Sequence, residues 1–161
     1  VTATRAPEGT IMQARMDNPT AVIPEAMKAL LAFGKAASGK GVEESTIELV
    51  KLRASQINGC SACVHMHARD MRKAGETDER LFTVAAWREA PFFTDAERVA
   101  LELTEVLTRL ADSANPVSDE LWTRVREHYD ERQTSALLVA IANINVWNRL
   151  NAAVHQVAGS W

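Results

Sequence analysis

The chain has 161 residues, 47% hydrophobic and 24% charged, a size and composition expected of one domain spanning residues 1–161 with a sizeable core. A formal net charge of -3 gives no basic field, so nucleic acid is not an expected partner. No apolar run approaches the roughly 20 residues that cross a bilayer, and no apolar stretch follows Val1-Thr2-Ala3-Thr4-Arg5, so neither a membrane nor export is indicated and the expected setting is the cytoplasm.

The first 20 residues lack clear periodicity and read as an N-terminal arm. Pro24 to Ala37 follows as a helix carrying Ala26, Leu30, Leu31 and Phe33, broken by Ser38-Gly39-Lys40-Gly41. Glu43 to Ile57 is the next. Its stripe of Ile47, Val50, Ala54 and Ile57, with Leu49 and Leu52 elsewhere, predicts burial on more than one side. Asn58-Gly59 ends that helix, since both residues tolerate the left-handed conformation. A third helix is expected from about Ser61 to Ala74, and a fourth from Thr77 or Asp78 to Glu89, before Pro91.

Thr94-Asp95-Ala96-Glu97 has the form of a capping box and opens a helix with Val99, Leu103, Val106 and Leu110 on one face. Ser118 suits the cap of a shorter helix bearing Leu121, Trp122, Val125 and Tyr129. The last helix is expected from about Arg132 to Val157, striped by Leu137, Ala140, Ile144, Trp147 and Val154. No sustained alternation of period two interrupts this series, so the fold class is all-α. Trp87, Trp122 and Trp147 read first as core. The aromatics Phe33, Phe82, Phe92, Phe93 and Trp147 are candidate pocket walls, with core packing the simpler role for each.

Both cysteines of the chain lie in Cys60-Ser61-Ala62-Cys63-Val64-His65-Met66-His67. Without an export signal, a close cysteine pair is more often redox-active or metal-binding than a structural staple. Cys60 falls where one helix has ended and the next begins, where unpaired N–H groups favour a thiolate. Cys63 and His67 share one helical face, so the imidazole can take the Cys63 proton directly or through a water. His65 is expected to face away.

Glu48 is the candidate third member. It lies roughly 15 Å of helix before the Asn58-Gly59 turn, and His67 roughly 12 Å after it. An antiparallel helix pair would bring the two to similar heights, and a carboxylate there would hold the imidazole in one tautomer. The plainer reading makes Glu48 the end of a capping box begun at Ser45.

Glu48, eleven residues, Cys60, two residues, Cys63, three residues, His67 resembles the signature of the AhpD-like alkylhydroperoxidases of the carboxymuconolactone decarboxylase superfamily. The flanking Leu52-Arg53-Ala54-Ser55-Gln56-Ile57-Asn58-Gly59 and Ala68-Arg69-Asp70 through Gly75 are also similar, and the resemblance covers residues 43–110. Ile144-Asn145-Val146-Trp147-Asn148-Arg149 is similar to related proteins as well.

The resemblance implies an all-helical protomer of about six or seven helices, in trimers or hexamers. It implies reduction of organic hydroperoxides by the cysteine pair, with Cys63 as the attacking thiol, Cys60 as the resolving thiol, and Glu48 and His67 as a proton relay. No cofactor is implied beyond an external dithiol of lipoyl or thioredoxin type. In the best-known members a further histidine stands between the cysteines; here that position is Ala62. Three rivals remain: a metal site of Cys60, Cys63, His67 and Glu48, a non-redox lyase of the lactone decarboxylase branch, and a non-enzymatic oligomeric protein.

Overall fold

The computed structural model describes residues 12–160, and every regular element among them is helical. The α-helices are α1 (Pro19–Val22), α2 (Pro24–Lys35), α3 (Glu44–Ile57), α4 (Ser61–Lys73), α5 (Asp78–Thr83), α6 (Asp95–Thr108), α7 (Asp119–His128) and α8 (Glu131–Val154). Single 3₁₀ turns lie at Val84–Ala86 and Leu110–Asp112. The all-α expectation holds. The element beyond the expected series is α1, one turn started by Asn18, whose side chain accepts from Thr20 N–H. It begins at the end of the segment read as an arm; residues 1–11 of that segment are outside the described residues.

Local chemistry sets most boundaries as expected. Thr94 and Glu97 form a reciprocal capping box at the start of α6, and Ser118 and Thr77 cap α7 and α5. At the α3–α4 turn Gly59 takes φ +66°, a conformation that costs a Cβ-bearing residue. Three ends differ. The fourth helix tightens to 3₁₀ after Thr83 and does not reach Glu89. Helix α6 stops at Thr108, which leaves Leu110 exposed in a 3₁₀ turn. Helix α8 begins at Glu131, because Asp130 and Gln133 make a capping box, and ends at Val154, where His155 turns left-handed.

Helix α3 is the centre of the packing and contacts α4, α6 and α8. Its two apolar sides enter different clusters. Ile47 and Val50 meet Val99, Leu103, Val125, Leu137 and Ile141. Leu49 and Leu52 meet Met71, Val84, Trp87, Phe93 and Leu101. Full burial of such side chains contributes about 1.5–3 kcal/mol each, which fixes α3 before its polar residues are considered. A third cluster gathers Ala54, Cys60, Ala62, Cys63 and Ile144, with Trp147 packed against it.

Helix α2 is held differently, for it buries no residue fully. Asn143 on α8 donates to the Leu30 carbonyl at 3.0 Å. Gly34 lies so close to the same side chain that an added Cβ would sit 2.9 Å from Asn143 Oδ1. Along α1 and α2, Val22, Ile23, Leu31 and Phe33 remain exposed. Phe82 and Phe92 are exposed too, so core packing is realised only by Phe93 among the four phenylalanines. Trp87 is buried, whereas Trp122 is exposed. Among the described residues no helix is long and apolar enough to cross a membrane.

Candidate active site

Cys60 is the N-cap of α4, and its Sγ accepts from the Cys63 N–H at 3.3 Å. The two cysteines are joined as a disulfide with Cα atoms 5.4 Å apart. Both are almost wholly buried, at 3% and 2% exposure, yet they differ in access: Cys63 lines a cavity of about 670 Å³ and Cys60 does not. The cavity lies between α1, α2, α4 and α8 and also touches Lys51 of α3. Met27, Leu30, Leu31, Met66, Ile144 and Trp147 supply apolar wall, and Asn18, Lys35, Lys51, Asn151 and Gln156 supply polar groups. Trp147 is the one candidate wall aromatic that reaches it.

His67 lies one turn beyond Cys63 and is 7% exposed. Its Nδ1 is 2.7 Å from Glu48 Oε2, so the turn does fold α3 and α4 back as the spacing required. The plainer reading of Glu48 does not hold. Glu43 is the N-cap of α3 without a side-chain bond, and Ser45 lies inside the first turn. Glu48 Oε1 accepts instead from Lys51 Nζ at 2.7 Å.

The electrostatics fix the tautomer. Burial alone would raise the titration of Glu48, but the hydrogen bond and charge of His67, then those of Lys51, outweigh it and bring the pKa down to about 2. Glu48 is therefore an anion at any working pH and can only accept. His67 Nδ1 must carry the proton it donates, and in the neutral ring the lone pair is left on Nε2. That Nε2 is buried and has no hydrogen-bond partner. His67 also lines the cavity, as does Ala62. His65 is exposed, beside Gly159.

The sequence reading missed the amides around the sulfur. Asn151 donates from Nδ2 to Cys63 Sγ at 3.1 Å, and Asn18 donates to Asn151 Oδ1 at 2.6 Å. A related ladder ties the α3–α4 turn to α8. Asn58 donates to Asn145 and Asn148 at 3.0 and 2.9 Å, and Asn148 donates to Ser55 Oγ at 3.1 Å. The signal was the run Asn145, Asn148, Asn151, amides three apart on a helix otherwise rich in apolar residues. Buried amides need partners; Asn145 and Asn148 find theirs at the α3–α4 turn, while the half-buried Asn151 meets a sulfur. Among the described residues no group of three or more His, Cys, Asp or Glu side chains is arranged to hold a metal ion.

A cysteine pair at the head of a helix, with a carboxylate-backed imidazole one turn on, places this molecule in the class of all-helical AhpD-like proteins. The chain belongs to the carboxymuconolactone decarboxylase family, whose sequence model matches residues 24–106. It is 42% identical to the protein YdfG of Bacillus subtilis over 86% of this chain and 93% of that one. In three dimensions it is similar to a protein of unknown function from Agrobacterium tumefaciens proposed to be an antioxidant defence protein AhpD. The TM-score is 0.84 with 32% identity, over 92% of this chain and all of the other. A shorter match, 37% identical, links 38% of this chain to 32% of the alkyl hydroperoxide reductase AhpD of Bradyrhizobium diazoefficiens. These relatives support an enzyme of peroxidase type at the level of the family.

Proposed function

We propose that the protein is a thiol peroxidase that reduces organic hydroperoxides through a dithiol–disulfide cycle of Cys63 and Cys60. The observation that carries this reading is the buried, unpartnered Nε2 of His67. It lines the same cavity as Cys63 and belongs to a ring whose other nitrogen is engaged by Glu48. A base with its lone pair free, near a thiol on one cavity wall, is what ionisation of that thiol requires.

In the reduced enzyme His67 Nε2 takes the Cys63 proton, directly or through one water. The Cys63 thiolate attacks the distal oxygen of the hydroperoxide, the O–O bond breaks, and the alkoxide leaves with the proton returned by His67. Cys63 is now a sulfenic acid. The Cys60 thiol displaces its hydroxyl as water and closes the disulfide. An external dithiol of lipoyl or thioredoxin type reopens that bond by exchange and is itself oxidised. Glu48 stays ionised throughout and balances the imidazolium. Exposed Val22, Ile23 and Phe33 support a homotrimer or homohexamer in which neighbouring protomers cover these side chains.

The test is turnover of cumene hydroperoxide with dihydrolipoamide, and separately with thioredoxin. One dithiol is expected to be oxidised per peroxide reduced, with no turnover in Cys63→Ser. Equal turnover in Cys63→Ser, or none with either dithiol in the unaltered protein, contradicts the reading.

A further inference from the structure

The amide chain from Thr20 to Cys63 has only one consistent set of orientations. Backbone N–H can only donate, and Thr20 N–H points to Asn18 Oδ1 at 3.1 Å, where Thr20 Oγ1 also donates at 2.7 Å. Asn18 must then present its NH₂ to Asn151, at 2.6 Å from Oδ1. With its oxygen so engaged, Asn151 presents its own NH₂ to Cys63 Sγ at 3.1 Å. The direction of the donor is thus fixed from the start of α1, more than a hundred residues away in sequence.

The energetic sense of this contact follows from the acceptor. A disulfide sulfur is a weak acceptor, and a half-buried amide spent on it gains little. Reduction turns the same sulfur into a thiol in equilibrium with an anion, and an N–H bond to an anion is charge-assisted and about twice as strong. The amide is already in place, so ionisation requires no reorganisation. Asn151 therefore favours the thiolate over both the thiol and the disulfide. His67 Nε2 has no bond to either sulfur, so removing the proton and stabilising the anion fall to separate groups. The Cys60 sulfur has a donor of its own in the Cys63 N–H.

We propose that Asn151 is a catalytic residue whose amide N–H holds Cys63 as a thiolate, and that Asn18 is the positioning residue that aims it. The inference rests on the reading of Cys63 as the reacting sulfur, but its test needs no peroxide.

In the reduced Cys60→Ser chain, where serine keeps an N-cap and Cys63 is the only thiol, the rate of iodoacetamide alkylation is followed against pH. Asn151→Ala is expected to move the midpoint up by about one unit. Asn151→Asp, which keeps the shape but has no N–H and adds negative charge, is expected to move it further up. Asn18→Ala leaves the donor present but unaimed, and about half a unit upward is expected. A purely structural role predicts no such order, since the near-isosteric Asp would be the mildest change. Midpoints unchanged in folded Asn151→Ala and Asn151→Asp overturn the catalytic role, and an unchanged midpoint in Asn18→Ala overturns the positioning role. Should neither Asn151 variant fold, the Asn18→Ala midpoint decides: no shift counts against the whole chain of donors. If the midpoints move while the unaltered protein fails to reduce peroxide, the thiolate assignment stands and the peroxidase reading falls.

Discussion

Two partly or fully buried carboxylates on neighbouring helices, Glu48 on α3 and Glu105 on α6, meet burial in opposite ways. Glu105 is saturated: Oε1 accepts from Arg53 Nε at 2.8 Å and Trp87 Nε1 at 2.9 Å, and Oε2 accepts from Arg88 Nη1 at 2.7 Å. Burial pushes its titration up, and the bonds from Arg88, Trp87 and Arg53 pull it below the ordinary range. Glu48 is also held down, by His67 and Lys51, but its chain of bonds ends on an imidazole nitrogen with no partner. A closed network leaves no site for a proton to arrive or depart, and so it only holds helices together. An open one at a cavity wall has such a site. Both carboxylates are ionised and bonded to cationic or N–H donors; what separates them is whether the last atom in the network is satisfied.

That contrast is easiest to break at its ends. His67→Gln removes the basic nitrogen and is expected to lower kcat/KM for hydroperoxide by roughly 10²–10⁴-fold, with a modest effect on unfolding. Glu105→Ala is expected to do the reverse. It strands Arg53 and the Trp87 N–H and lowers the unfolding free energy by about 3 kcal/mol in denaturant titrations, with turnover per folded molecule unchanged. Activity lost in Glu105→Ala at full folding would erase the distinction.

A finer comparison uses acid. The folded-state pKa of Glu48 is below its ordinary value of 4.5, at about 2. Its contribution is therefore complete above about pH 4.5 and disappears as pH falls toward 2. Glu48→Gln should remove on the order of 2 kcal/mol at neutral pH and flatten the acid limb of stability between those values. An acid limb identical to that of the unaltered protein would place the ion pair outside the stability of the fold. The smallest expected effect is at Tyr129, which donates to the Ala96 carbonyl at 2.8 Å and whose burial pushes its pKa up to about 12. Tyr129→Phe should cost about 1 kcal/mol and leave the thiol chemistry untouched.

Much of the frame was legible because it is written locally. The capping box at Thr94, the Asn58-Gly59 turn and the two-sided apolar pattern of α3 each depend on residues within a few positions of one another. The Glu48–His67 contact spans 19 residues, yet it too was accessible, since a short turn and helical rise leave little freedom in register. Asn151 was not. Its donation to Cys63 depends on how α8 crosses the head of α4 and on an amide orientation set by Asn18, and no spacing rule reports either. The outer side of α2 erred in the other direction. Phe33 fits an apolar stripe but stays exposed, because the apolar pattern says that a face needs cover and not which surface provides it.

The central claim is tested most directly by the mass of one peptide. Trypsin should release residues 54–69, which hold both cysteines, by cleavage after Arg53 and Arg69. Reduced protein treated with one equivalent of cumene hydroperoxide, blocked and digested, should yield this peptide lighter by two hydrogens and unalkylated, with cumyl alcohol formed in equal amount. The same peptide recovered fully alkylated, with the peroxide intact, would contradict the account.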